Sequence, residues 1–222
     1  MELKSTCVLK DKLNYDEVAV IKQLYVTPQV LAMHEQRLSE IFKHDKPEQI
    51  RQKVMDIVAR DNAFASIMQN IIEKAFSFNF DEDEVKNIID ETKDNIAKNL
   101  EAAYKEASEE DKAKFAKLED HPFYKMTEEQ QRNFALAQIK KQLIFDELAK
   151  LWDIRVSDEE VRTQLENFYK ASNKSVRNYL NNKAEFEHVR KMIRDEKITK
   201  EILIRFRVNW ELPLPPKAED KK

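Results

Sequence analysis

No glycine occurs anywhere in this chain of 222 residues, where average usage of about 7% leads one to expect roughly fifteen. Only glycine enters left-handed backbone conformations without a steric penalty, so primed hairpin turns and glycine C-caps are largely closed to this sequence. The expected fold class is therefore all-α, with sheets disfavoured. The same absence removes the loops that cradle phosphate on bare backbone, among them P-loops and the dinucleotide fingerprint, and nucleotide enzymes of those kinds are excluded. Charged residues make up 36% and apolar residues 41%, against usual shares of about 25% and about 45–50%. That balance suits an extended shape with much surface for its volume better than a sphere.

Cys7 is the single cysteine, which rules out an internal disulfide and a cysteine metal cluster. The N-terminal residues lack the apolar core of a secretory signal, and no apolar run approaches the length of a membrane span. A cytoplasmic location with no membrane contact is expected. Net charge is -3, but residues 81–120 hold fourteen acidic and seven basic side chains while residues 170–207 hold eleven basic and five acidic. The basic residues are interleaved with acids on helices, as on a solvated face, and a specific nucleic-acid partner is not expected.

Helix starts are marked by capping boxes, in which a side chain at the N-cap and one three residues on satisfy otherwise orphan amides. Ser157 with Glu160, Asp81 with Glu84, Asn14 with Glu17 and Thr127 with Gln130 all fit. The first three also carry a flanking staple pair, Val156/Val161, Phe80/Val85 and Leu13/Val18. Apolar spacing of three and four then predicts helices over 14–26, 28–42 with Pro28 at its first position, 47–76, 85–104, 108–118, 134–152, 161–169, a short one around Val176, Tyr179 and Leu180, and 183–207. Phe76-Ser77-Phe78-Asn79-Phe80 alternates with strand period but is short. Residues 209–222, with Pro213, Pro215 and Pro216, read as a disordered tail.

Shifting the chain by 76 residues superposes Ile72 on Leu148, Phe76 on Trp152, Phe80 on Val156, Glu84 on Glu160 and Val85 on Val161. The repeated unit is a long helix, a short aromatic link and a capped helix expected to return along the first. Residues 1–208 then form one elongated helical domain with an arm unit at 47–104, a connector at 105–130 and a second arm unit at 131–208. Within the second arm, Gln138 to Ala149, Ile154 to Val161, Phe168-Tyr169, Val176 to Leu180 and Arg190 to Phe206 follow the order of features in the helical C-terminal, substrate-binding domain of trigger factor. The chain resembles that family over about Pro47 to Val208, and the periplasmic chaperone SurA shares the helical fold. A small stand-alone trigger-factor-like protein is the nearest type. The glycine-containing ribosome-docking signature and the prolyl isomerase domain have no counterpart here, so ribosome attachment and isomerase activity are not carried over.

What the resemblance implies is an elongated multi-helix cradle with helical-hairpin arms, and with it an ATP-independent chaperone, a holdase whose partners are apolar segments of unfolded or nascent polypeptides. The alternative is a helical adaptor for one specific folded partner. A homodimer is open to either, and contact of the basic C-terminal helices with the ribosome is carried by no motif. No enzyme is expected: His34, His44, His121 and His188 lack ligand spacing, and Glu185 with His188 is half of a di-iron motif whose other half is missing. No metal, cofactor or catalytic residue is assigned. Asp61 stands among apolar neighbours of the long helix and reads as a rim or partnered carboxylate. The peptide-binding candidates are Phe76, Phe78, Phe80, Phe123, Tyr124, Met126, Trp152, Phe168 and Tyr169, since large apolar contact area without polar readout is what such a surface needs. Core packing is the competing role for each. Met33, Met55, Met68 and Met192 could add plasticity.

Overall fold

The computed structural model describes residues 3–107, 117–172 and 182–212, with the side chains of residues 106 and 168–172 outside that description. The expected helices over 108–118 and around Val176, the side chains of Phe168 and Tyr169, and the tail from 213 fall outside it too. Six α-helices dominate the described residues: α1 (Pro28–Ile41), α2 (Pro47–Ile67), α3 (Glu82–Glu106), α4 (Glu128–Leu151), α5 (Asp158–Ser172) and α6 (Lys183–Arg205). Four short strands join them: β1 (Thr6–Leu9), β2 (Val18–Ile21), β3 (Phe76–Asn79) and β4 (Arg207–Trp210). The fold is mostly helical, as expected, with only two small two-stranded sheets among the described residues. No helix among the described residues is long and apolar enough to cross a membrane.

A strand replaces the helix expected over 14–26, and another takes the start of the expected tail. Asn14 Oδ1 accepts from the Asp16 amide at 3.1 Å, so the side chain that would cap a helix closes an Asx turn instead. The following Val18-Ala19-Val20-Ile21 alternates, with Ala19 and Ile21 buried and both valines exposed. Its period of two prevails over the helix expected for 14–26. β4 pairs parallel with β2, Ala19 opposite Val208 and Ile21 opposite Trp210, so residues 209 and 210 belong to a strand and not to a tail. The alternating Phe76–Asn79 pairs antiparallel with β1, Cys7 opposite Phe78. Glycine was not needed because neither pair is a hairpin: each strand meets one far away in the chain.

The chain forms two compact units interleaved in sequence. Unit 1 holds residues 1–10 and 76–147, and unit 2 holds residues 11–75 and 148–222. Their boundaries cut through both expected arm units, 47–104 and 131–208.

In unit 1, Val85 of α3 and Ala135, Ile139 and Leu143 of α4 are buried together, with Leu3, Cys7, Phe78, Phe80, Ile88 and Ile89 against them. Asp81 caps α3 by accepting from the Glu84 amide at 3.0 Å. The reciprocal half of that capping box is diverted. Glu84 turns its carboxylate onto the N-terminal segment, accepting from the Lys4 amide at 2.7 Å and the Ser5 amide at 2.9 Å, while the Ser5 hydroxyl accepts from the Asp81 amide at 3.0 Å. Ser5 and Glu84 are both buried, and this clip fixes where β1 begins.

In unit 2, α2 carries Ile50, Val54 and Val58 against Leu24, Val26, Leu31 and Leu38. The helix expected to reach Phe76 keeps α winding to Ile67, widens to a π turn over Met68–Ile72 and tightens to 3-10 over Glu73–Ala75. The widened turn buries Met68, Ile71 and Ile72 close together. Val161 and Leu165 of α5 pack with Val156, Phe186, Val189 and Ile193 of α6. These seams, α3 on α4 and α5 on α6, run across the hairpins expected from the repeat. Reciprocal capping boxes do form at Ser157/Glu160, which opens α5, and in unit 1 at Thr127/Gln130, which opens α4.

At the end of α4 the Ile154 amide donates to the Ala149 carbonyl at 2.9 Å, the six-to-one bond of a Schellman cap. Its left-handed position is filled by Asp153, with φ of 49°. Elsewhere glycine is the usual occupant, and here an aspartate takes its place.

Candidate polypeptide-binding surface

The structure distributes the sequence-selected positions over both units and turns several of them inward. Phe76 and Phe123 are core residues, each only 4% exposed, and so are not open contact surface. Phe76 is an inward position of β3. Phe123 is sealed by the edge of Phe134, ring centroids 5.2 Å apart, and its carbonyl accepts from Gln131 Nε2. Phe78 and Phe80 are half-buried and stack at 5.7 Å, with the Lys140 ammonium 5.6 Å from the Phe78 ring. Tyr124 and Met126 are half-buried, and the Tyr124 hydroxyl donates to the Lys93 carbonyl at 3.2 Å. Trp152, in unit 2, is half-buried, donates from Nε1 to the Tyr15 hydroxyl at 3.1 Å and lies under the Arg205 guanidinium at 5.0 Å.

The open apolar surface of unit 2 lies elsewhere. Helix α1 begins cleanly, with Thr27 Oγ1 accepting from the Val30 amide at 3.3 Å and Pro28 in the first turn, yet it has no fully buried residue. Met33 and Ile41 are 57% and 60% exposed, and Val30 and Phe42 are also open. Met55 and Met192 are exposed as well, whereas Met68 is core.

Two adjoining cavities, about 630 Å³ and about 450 Å³, run beside α2 and share Gln23, Tyr25, Asp61 and Asn62 as walls. The larger is bounded by Val20, Ile21, Ala65, Ser66, Gln69 and Asn70, and the smaller by Leu24, Val26, Val30, His34 and Val58.

Asn62 is the structural key to this groove. Its Oδ1 accepts from the Tyr25 amide at 2.8 Å, and its Nδ2 donates to the Tyr25 carbonyl at 3.1 Å and to the Val58 carbonyl at 2.8 Å. One side-chain amide therefore holds the Tyr25 main chain as a neighbouring strand would, and the phenol ring stands 77% exposed. Asp61, one residue earlier on α2, is exposed and has no ion-pair or hydrogen-bond partner among the described residues. The rim position is the one expected from the sequence. Tyr25 was missed there because it fell inside an expected helix, and its display depends on an asparagine remote in the chain.

Charge elsewhere in unit 2 is structural. A hydrogen bond from the Arg190 guanidinium holds the Asp158 carboxyl below its usual range, and Arg190 is raised in turn. Lys197 holds Glu160 down similarly. These pairs tie the start of α5 to α6. No group of three His, Cys, Asp or Glu among the described residues is placed to hold a metal ion.

Over 210 residues the chain is 30% identical to the MG377 homolog of Mycoplasma pneumoniae, covering 95% of each protein. The chain belongs to the MG377 family. MG377 of Mycoplasma genitalium is 27% identical over the same span, and both relatives are described as uncharacterized. The crystal structure of the hypothetical Mycoplasma protein MPN555 superposes with a TM-score of 0.70 at 29% identity, covering 94% of this chain and 92% of MPN555. No family model matches the chain. Both relatives match this chain over nearly their whole length, and the fold of MPN555 is similar to its own.

Proposed function

We propose that this member of the MG377 family is an ATP-independent holdase that covers apolar segments of unfolded or nascent polypeptides in the cytoplasm, a trigger-factor-like binding body without the ribosome-docking and isomerase parts. The observation that carries the reading is the open apolar surface of unit 2. A helix that buries no side chain fully, with Met33 and Ile41 more than half exposed, borders a groove beneath a tyrosine that is almost wholly open. Exposed methionine and aromatic area of this kind adapts to many apolar sequences. Holding needs no chemistry: a protein that binds the unfolded state withdraws it from aggregation by mass action and releases it as the client folds.

The test is suppression of aggregation of several unrelated denatured proteins by the full chain at stoichiometric amounts. Suppression that weakens when Met33 and Ile41 are both replaced by serine supports the holdase. Absence of suppression for every client refutes it. Recovery of one stoichiometric folded partner in place of a mixed population assigns the surface to an adaptor instead.

A further inference from the structure

The groove at Tyr25 has a charge pattern that selects among clients, an inference that rests on the holdase reading. Among its walls the charged side chains are Asp61, common to both cavities, and Lys22, which borders only the larger one. Asp61 has no partner among the described residues and, like the exposed Tyr25, lines both cavities. A groove that offers both a free carboxylate and an exposed aromatic ring suits a cation, which gains from the opposite charge and from the ring quadrupole.

On one side of the groove the wall is aliphatic, with Val26, Val30 and Val58. On the other side α2 and the π turn after it present Ser66, Gln69 and Asn70. Asn70 Nδ2 donates to the Ser66 hydroxyl at 3.1 Å, and the amide oxygen of Asn70 and the Gln69 amide are groups that bond a peptide main chain without reading side chains. Asn62 already does so for the Tyr25 main chain in the same groove.

We propose that this groove takes an extended polypeptide segment bearing a lysine or arginine, whose cation meets Asp61 against Tyr25. A neighbouring aliphatic residue of the client rests on Val26, Val30 and Val58. The client main chain is held by Gln69 and Asn70. Clients would then be sorted by a basic residue within an apolar run, and not by apolarity alone.

Three fluorescent peptides of one apolar sequence, differing only in a central Lys, norleucine or Glu, are titrated against the full chain by anisotropy at low salt. The lysine peptide is expected to bind about fivefold tighter than the norleucine peptide, the scale of one exposed ion pair, with the glutamate peptide weakest. Asp61→Asn should remove the lysine preference, and Asp61→Lys should reverse the Lys-over-Glu order. Both substitutions fall on an exposed side chain, and circular dichroism verifies the fold. Added salt should shrink the preference as well. If all three peptides bind and Asp61→Lys leaves their order unchanged, the charge selection is overturned while the holdase stands. If none binds the unsubstituted protein, this groove is overturned as a client site, and the aggregation assay decides separately whether the holdase survives.

Discussion

The two glutamates that the internal repeat superposes should respond very differently to the same substitution. Glu84 and Glu160 each stand three residues after an N-cap, but only Glu84 is buried, 6% exposed, and aimed at another segment. Glu84→Ala leaves the Lys4 and Ser5 amides without their acceptor, and Ser5 is only 2% exposed, too enclosed for water to replace the carboxylate. A hydrogen bond to a charged group contributes about 1.5–3 kcal/mol, and a stranded buried donor costs about 1–3 kcal/mol. With the Lys4 amide partly hydrated, a loss of about 3 kcal/mol is expected. For a chain of this size that lowers Tm by roughly 6–12 °C, at about 2–4 °C per kcal/mol.

Glu160→Ala removes a box open to solvent, where water takes over the Ser157 amide, together with a partly exposed ion pair to Lys197 that solvent screens to a small contribution, so a clearly smaller shift is expected. Thermal and urea denaturation followed by circular dichroism measures both. Amide exchange at Lys4 and Ser5 should accelerate only in the Glu84 variant. Equal shifts for the two variants would refute the claim that the clip, and not the helix cap, is what Glu84 supplies.

Three further outcomes follow from the same geometry. Burial alone would raise the Glu84 carboxyl, but the Ser5 hydroxyl and the Ser5 and Lys4 amides outweigh it and the carboxyl is lowered. Its contribution is therefore complete above the unfolded value of 4.5 and disappears as pH falls through the lower folded value, so a stability titration should show less acid loss in Glu84→Gln than in the parent. Asp153→Gly should stabilise by about 0.5–1 kcal/mol, because the left-handed cap is strained for aspartate and its pair with Arg155 is exposed on both sides, and urea midpoints check this. Asn62→Ala should release the Tyr25 main chain, seen as faster amide exchange at Tyr25 and weaker binding of every peptide in the series alike.

Much of the helical framework was legible because its signals are local. Thr27-Pro28 opens α1, and Ser157 with Glu160 and Thr127 with Gln130 close reciprocal boxes within four residues. The misreadings share one cause, a partner far off in sequence. Asn14 to Glu17 has the letters of a helix start, but the valines after it alternate, and β4 exists only because β2 is there to pair with it. Glu84 has the letters of a box and serves Ser5 instead. The same cause hid the groove: nothing near Tyr25 announces that Asn62 will hold its main chain. Phe76 and Phe123 were chosen for their size, and size is also what a core selects.

Neither compact unit is one unbroken stretch, and the chain crosses from one to the other at residues 10, 75 and 147. Order of synthesis and order of completion therefore diverge. The strand of Ala19 and Ile21 is made early, yet the neighbour that takes up its free edge arrives only with Arg207 to Trp210, so the sheet stays unpaired until nearly the whole described chain is present. Because Val20 and Ile21 also wall the groove, a fragment cut out to carry it would lack the strand that seats them. A protein built this way has the walls of its groove in place only once both strands of that sheet are present.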